Sequence, residues 1–199
     1  MSLIEVAGRL NKKHEAEKKA AEDRARQSEL HLRRLSYFRE FGGKWFQNLK
    51  SEMDSLIEKF NEVTGSHSKL LRISNEDIGL DSIAVQFIES VEKPMEERPV
   101  CICRRSTEEL KVTVEIEHVK APLKEQYDLI VEDFSEIMVG LTTTTVREEL
   151  GEGVKWKDRE TGEMNYEPTF VQQRIRETRK LYASEFADWI LSTFAEKML

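Results

Sequence analysis

The chain has 199 residues, 35% charged and 39% hydrophobic, with a formal net charge of −7; that length holds one domain with a proper core plus an appendage. No run approaches the ~18 apolar residues needed to cross a bilayer, and the apolar patch at 3–6 is short and contains Glu5, so neither a membrane span nor a signal peptide is expected. Two cysteines are too few for a disulfide framework, and a cytoplasmic protein is expected.

The charge is lopsided. Residues 1–60 hold 13 Lys/Arg against 10 Asp/Glu, whereas residues 61–199 hold 18 against 28. Within 9–39 ten basic residues face five acidic ones. A basic tract with little to bury, joined to an acidic body, predicts a device for association.

Residues 1–34 form the predicted arm. Between 11 and 34 the only apolar side chains are Ala16, Ala20, Ala21, Ala25, Leu30 and Leu32. Ala, Glu, Lys, Arg and Gln dominate without Gly or Pro, which predicts a helix. Glu15–Lys19 and Glu22–Arg26 sit four apart in the supportive order. A helix polar all round stands in solvent, as an ion-pair-laced or coiled-coil rod, or lies against a partner. Arg24, Arg26, Arg33 and Arg34 are its candidate partner-binding cations. Such charges also neutralise phosphates, but the acids Glu15, Glu17, Glu22, Asp23 and Glu29 between them disfavour nucleic acid.

From 35 to 64 the pattern becomes amphipathic. Phe38, Phe41, Trp45, Leu49, Met53, Leu56, Phe60 and Val63 recur every three or four residues, one apolar stripe on a helix. Gly42-Gly43 inside it predicts a kink or break, and Gly65 a stop. Phe38, Trp45 and Phe46 are the candidate apolar anchors for a partner, since Phe46 lies beside the stripe; ordinary core packing is the competing reading.

Between 69 and 119 the period switches to two. Ile83, Val85 and Phe87 alternate with smaller or polar residues, as do Leu110, Val112, Val114 and Ile116; 98–105 and 69–74 supply two further candidates. Short connections predict an antiparallel meander of about four strands with helices over one face. Pro122 then opens a predicted helix over 122–141, with Leu123, Tyr127, Ile130 and Phe134 on one side and an acidic stripe of Glu125, Asp128, Glu132 and Glu136 on the other. Residues 154–166 read as a hairpin or loop. A last helix is expected over 168–198, with Val171, Ile175, Tyr182, Phe186, Trp189 and Ile190 along its buried side.

Recognisable catalytic chemistry is missing from this pattern. Cys101 and Cys103 share a face of a strand, but a tetrahedral metal site needs two further ligands and nothing in the spacing supplies them. Glu115-Ile116-Glu117-His118 has the Glu-x-x-His spacing of di-iron bundles, which works on a helix and fails on a strand. The acidic stripe of 122–141 would suit a cation or a basic partner, though a solvated face explains it as well. Gly151-Glu152-Gly153 lacks the order of a phosphate-binding loop. No catalytic residue, metal or cofactor is therefore assigned.

The expectation is an α+β protein: a meander of about four antiparallel strands covered by helices, with residues 1–34 projecting as a helical arm from a single domain at 35–199. Its expected function is non-enzymatic assembly, as a homo-oligomer or with a protein partner, through the arm. Two other readings follow from the same residues. A small apolar ligand could occupy a cavity between sheet and last helix lined by Phe87, Tyr182, Phe186 and Trp189. An acidic secretion-type chaperone would instead expose a large apolar groove.

Overall fold

The computed structural model describes residues 3–74, 79–89, 98–117, 122–150, 154–157, 164–167 and 170–198. The chain divides into two compact units, Met1–Val139 with Leu181–Leu199, and Gly140–Lys180. The architecture is α+β. Helix α1 runs from Leu3–Thr64 without interruption and is followed by strands β1 (Ser68–Arg72), β2 (Ser82–Glu89), β3 (Val100–Arg105), β4 (Lys111–Glu117), β5 (Leu123–Glu132) and β6 (Glu136–Leu150). Strands β7 (Val154–Lys157), β8 (Met164–Glu167) and β9 (Phe170–Leu181) precede helix α2 (Ala183–Glu196). Seven strands form one sheet in the order β1-β2-β3-β4-β5-β6-β9, a meander from β1 to β6, where about four strands were expected.

The register explains the core. Val85 pairs with Cys101 and Cys101 with Ile116, while Ile83 pairs with Cys103 and Cys103 with Val114. These buried residues share one sheet face. Onto that face α1 lays Phe38, Phe46, Leu49 and Met53, and α2 lays Phe186, Ile190 and Phe194, all fully buried. The opposite face bears a charge ladder, in which Glu115 accepts from Arg104 at 3.0 Å and from Lys124 at 3.1 Å.

The expected helix over 122–141 is instead a hairpin, β5 and β6. In β5 the residues Tyr127, Leu129 and Val131 are buried while Gln126 and Asp128 are exposed and Ile130 half-buried, an alternation that begins after the exposed Lys124 and Glu125. The alternation stops at the turn, where Asp133 and Phe134 adopt φ of 47° and 53° and the Ser135 N–H donates to the Glu132 carbonyl at 3.1 Å. Two left-handed residues in succession are the tight hairpin geometry. Reading one period through this turn mixes Asp133 and Ser135 into the buried face and makes a strand look impossible. The acidic stripe disappears with the helix, because Glu125 lies on the helix-covered face and Asp128 on the other.

The last helix is also shorter than expected. Residues 170–181 form β9, and Arg176, Glu177, Thr178, Arg179 and Lys180 are all exposed, so no buried face marks that stretch as a strand. Helix α2 begins after Tyr182, whose extended backbone N–H donates to Glu185 at 3.0 Å. Glu185 thus performs one half of a capping box, but without Ser, Thr, Asp or Asn at the cap position the start was not legible. Within Gly140–Lys180, the Thr142 and Thr178 hydroxyls lie 3.0 Å apart, and β7 pairs antiparallel with β8.

At the stop after α1, Gly65 has φ of +60° and its N–H donates to Asn61. One turn earlier, the Asn61 side chain covers the sheet edge. Its amide donates to the Leu70 carbonyl at 2.9 Å and accepts from the Leu70 N–H at 2.8 Å, as a neighbouring strand would. Asn61→Ala is expected to cost about 1–3 kcal/mol by leaving both groups of Leu70 without these partners. The measurement is a urea midpoint lowered with an unchanged slope.

Candidate functional site

Every described side chain from residue 7 to residue 34 of α1 is exposed. This stretch includes Leu10 and Leu32, 60% and 62% exposed. The four arginines expected to meet a partner, Arg24, Arg26, Arg33 and Arg34, all lie here. Arg24 donates to the Ala20 carbonyl at 3.1 Å, and Arg33 sits over the Phe134 ring at 5.2 Å. Tyr37 meets the same ring edge-on at 6.2 Å. The β5–β6 turn therefore grips α1 at residues 33–37, where the exposed part of the helix ends. A phenylalanine in the left-handed region carries a cost of about 1–3 kcal/mol, which these two contacts offset.

The expected apolar anchors are core residues. Phe38, Trp45 and Phe46 are buried, and of the three only Trp45 borders a groove. Their burial is possible because α1 does not break at Gly42-Gly43. The Phe38 ring fills the space beside Gly42 that a Cβ would occupy, with Cε2 only 2.6 Å from that position.

The four residues expected to line a cavity are not gathered around one. Phe186 stacks on Trp189 with centroids 5.7 Å apart, and both meet the Tyr127 ring at 5.7 and 5.2 Å. Burial and its hydrogen bond to Glu125 push the Tyr127 hydroxyl above its usual pKa. Phe87 packs edge-on against Phe194, while Tyr182 is exposed at the start of α2.

Two grooves lie between the helices instead. The first, about 600 Å³, is lined by Tyr37, Phe41 and Trp45 of α1, by Ile137, and by Tyr182 and Ser184 at the start of α2. Trp45 Nε1 is the one buried side-chain nitrogen or oxygen without a hydrogen-bond partner among the described residues. The second groove, about 630 Å³, runs between the C-terminal turns of α1 and α2. Leu56, Phe60, Leu70, Phe87 and Leu191 form its apolar wall, and Lys59, Asp188 and Glu196 stand at its rim.

A cationic cluster under α1 was not anticipated. Lys50 is only 4% exposed, its ammonium donates to the Leu80 carbonyl at 2.8 Å, and it lies 5.2 Å from the Phe46 ring. Arg105 sits over Phe38 and pairs with Asp81, and Arg72 pairs with Asp54. Desolvation, followed by the Arg72 charge, lowers the Lys50 pKa from 10.5. The signal was obscured because Lys50 adjoins Leu49 on the stripe and looks like a solvent residue; its aliphatic stem does the packing.

Cys101 and Cys103 point into the helix-covered core and are fully buried. Burial raises the Cys101 thiol to about 12 and raises Cys103 as well. Thiolate is scarce at neutral pH in such a setting. Both thiols are accordingly expected to resist iodoacetamide in the native protein and to be modified after unfolding, as read by intact mass. No cluster of three or more His, Cys, Asp or Glu suited to a metal occurs among the described residues. Glu115 of the Glu-x-x-His spacing, on β4, is engaged by Arg104 of β3 and Lys124 of β5, and His118 lies outside the described residues. No helix among the described residues is long and apolar enough to cross a membrane. No family model, curated protein sequence or solved structure matches this chain.

Proposed function

We propose that this chain is a non-enzymatic assembly module that engages a further copy of itself or another protein through the exposed N-terminal part of α1. The observation that carries this reading is the uniform exposure of residues 7–34 in a helix continuous with the core-forming stripe. Helices draw most of their stability from packing an amphipathic face. About 40 Å of helix with no packed face is stabilised most simply by a surface supplied from outside. The exposed leucines and the excess of basic residues define what that surface offers in return: apolar contacts and negative charge. A reducing compartment such as the cytoplasm fits the two unpaired, buried thiols.

Light scattering of the full chain over a range of concentrations tests the self-assembling form of this reading. A mass above the 23.3 kDa of one chain is expected, falling to the monomer in the Leu10→Glu/Leu32→Glu variant. Identical masses for the two proteins would remove the arm as the assembly device. The apolar groove of about 630 Å³ favours a second reading, an apolar-ligand site, because its size and lining are those of small-molecule pockets. Saturable binding of a fluorescent fatty acid, abolished by Val63→Glu at the groove's edge, would support that alternative.

A further inference from the structure

We infer that the first groove, about 600 Å³ between α1, the β5–β6 turn and the start of α2, is a binding site for a short oligosaccharide. The inference does not depend on the arm, and it adds a ligand to the assembly module proposed above.

An apolar surface left in water, and not an apolar core, is the informative departure from ordinary burial. Three aromatic side chains are exposed among the described residues, and two of them, Phe41 at 38% and Tyr182 at 51%, line this groove. Tyr37, Phe41 and Trp45 follow one another at intervals of four along α1, which sets them along one side of the helix. The Tyr37 and Phe41 rings lie 4.6 Å apart with a tilt of 35° between their planes. The groove is thus walled by rings from both helices.

The rest of the lining selects the ligand. An entirely apolar molecule would take Asn48, Ser51 and Ser184, all exposed, out of water without giving them partners. The charges oppose one another. Lys44 and the positive end of the α2 dipole at Ala183 and Ser184 disfavour a cation, whereas Glu52 and Glu136 disfavour an anion. Trp45, in the same wall, carries the buried Nε1 without a partner, which is a donor and calls for a ligand that has acceptors. What satisfies all of these groups is a neutral molecule with flat C–H faces and hydroxyls that both donate and accept. Sugar rings combine the two. Their C–H faces lie on the negative faces of aromatic rings, and their hydroxyls bond with amide, carboxylate and hydroxyl side chains. Asn48 offers both a donor and an acceptor, Glu52 and Glu136 accept, and Ser51 and Ser184 do either. The volume falls within the range of pockets that enclose drug-sized ligands, and the succession of rings along α1 suits more than one sugar unit.

The test screens the full chain on a glycan array and titrates the best-retained glycan, by isothermal calorimetry, into wild type, Phe41→Ala, Tyr182→Ala and Asn48→Ala. All three altered residues are exposed, and circular dichroism verifies that each variant is folded. Asn48→Ala removes hydrogen bonds while leaving the aromatic surface in place, so it gives an independent readout should either ring be needed for folding. The expected result is saturable binding by wild type that weakens about ten-fold or more in each variant and is unchanged in Val63→Glu, which alters only the second groove. A retained glycan whose affinity is indifferent to all three variants overturns the assignment. So does a wild type that retains no glycan; saturation by tetramethylammonium or by inorganic phosphate in its place would reassign the groove to a cation held by the rings or to an anion at the start of α2.

Discussion

Replacing Phe186 by alanine is expected to cost about 3–5 kcal/mol, the range for removing a buried aromatic ring. Phe186 is fully buried, stacks on Trp189 and meets Tyr127 edge-on, so it joins α2 to the sheet at β5. The vacated volume lies between two aromatic rings that are themselves held in place, which limits collapse into it. Because whole domains are stable by only about 5–15 kcal/mol, such a loss consumes a large part of the total. Urea unfolding should show a strongly lowered midpoint. Near-ultraviolet circular dichroism should show loss of the Trp189 signal before global unfolding, since Trp189 loses its stacking partner. A midpoint within experimental error of wild type would mean that α2 is not anchored through this ring.

Gly42→Leu should be nearly as damaging, and the adjacent Gly43→Ala should have the opposite sign. A Cβ at position 42 would lie 2.6 and 2.8 Å from the Phe38 ring and 3.1 Å from Arg105 Nη1. Phe38 is completely buried beneath Arg105 and cannot step aside without disturbing that stack. Overpacking of this kind typically costs about 1–3 kcal/mol and occasionally more, and the bulk of leucine places it at the upper end. The better helix propensity of a non-glycine residue, up to about 1 kcal/mol, does not recover this. At Gly43 no atom lies within 4 Å of the corresponding Cβ, so alanine there should raise the unfolding midpoint by an amount equivalent to about 1 kcal/mol. Thermal melts of the two variants side by side decide the matter, because helix propensity alone predicts stabilisation at both positions.

These glycines also show how local reading went astray. Two consecutive glycines in a helical stripe argue for a break, and nothing in the sequence reveals that Phe38, one turn back, needs the missing Cβ. The buried lysine at 50 is a similar case, since its partners come from Leu80, Arg72 and Arg105, all distant in the chain. For β5 the alternation was present and visible, but the period was carried through Asp133 and Phe134. Those residues adopt left-handed conformations without the Asn-Gly or Asp-Gly signature that normally announces such a turn. For β9 there was no alternation to find, because its described residues 176–180 are exposed on both faces.

The candidate surfaces divide in the same way. The exposed arm was legible from composition alone, as a tract with too few apolar side chains to pack. The two grooves were not, because each is assembled from α1 and α2, more than a hundred residues apart. Of the expected lining, Phe87 forms part of the wall of the second groove and Tyr182 of the first, whereas Phe186 and Trp189 stack on each other and line neither.

By itself the sequence determined the long N-terminal helix, its exposed half, the first four strands and the separation of charge along the chain. All of these follow from periodicity and composition within short windows, where backbone geometry alone dictates which side chains share a face. Only the tertiary structure decided that 122–141 is a hairpin, that Phe38, Trp45 and Phe46 belong to the core, and that grooves remain between α1 and α2. Each of these depends on what a distant segment presents to the same volume, and close packing, unlike periodicity, is a property of the whole fold.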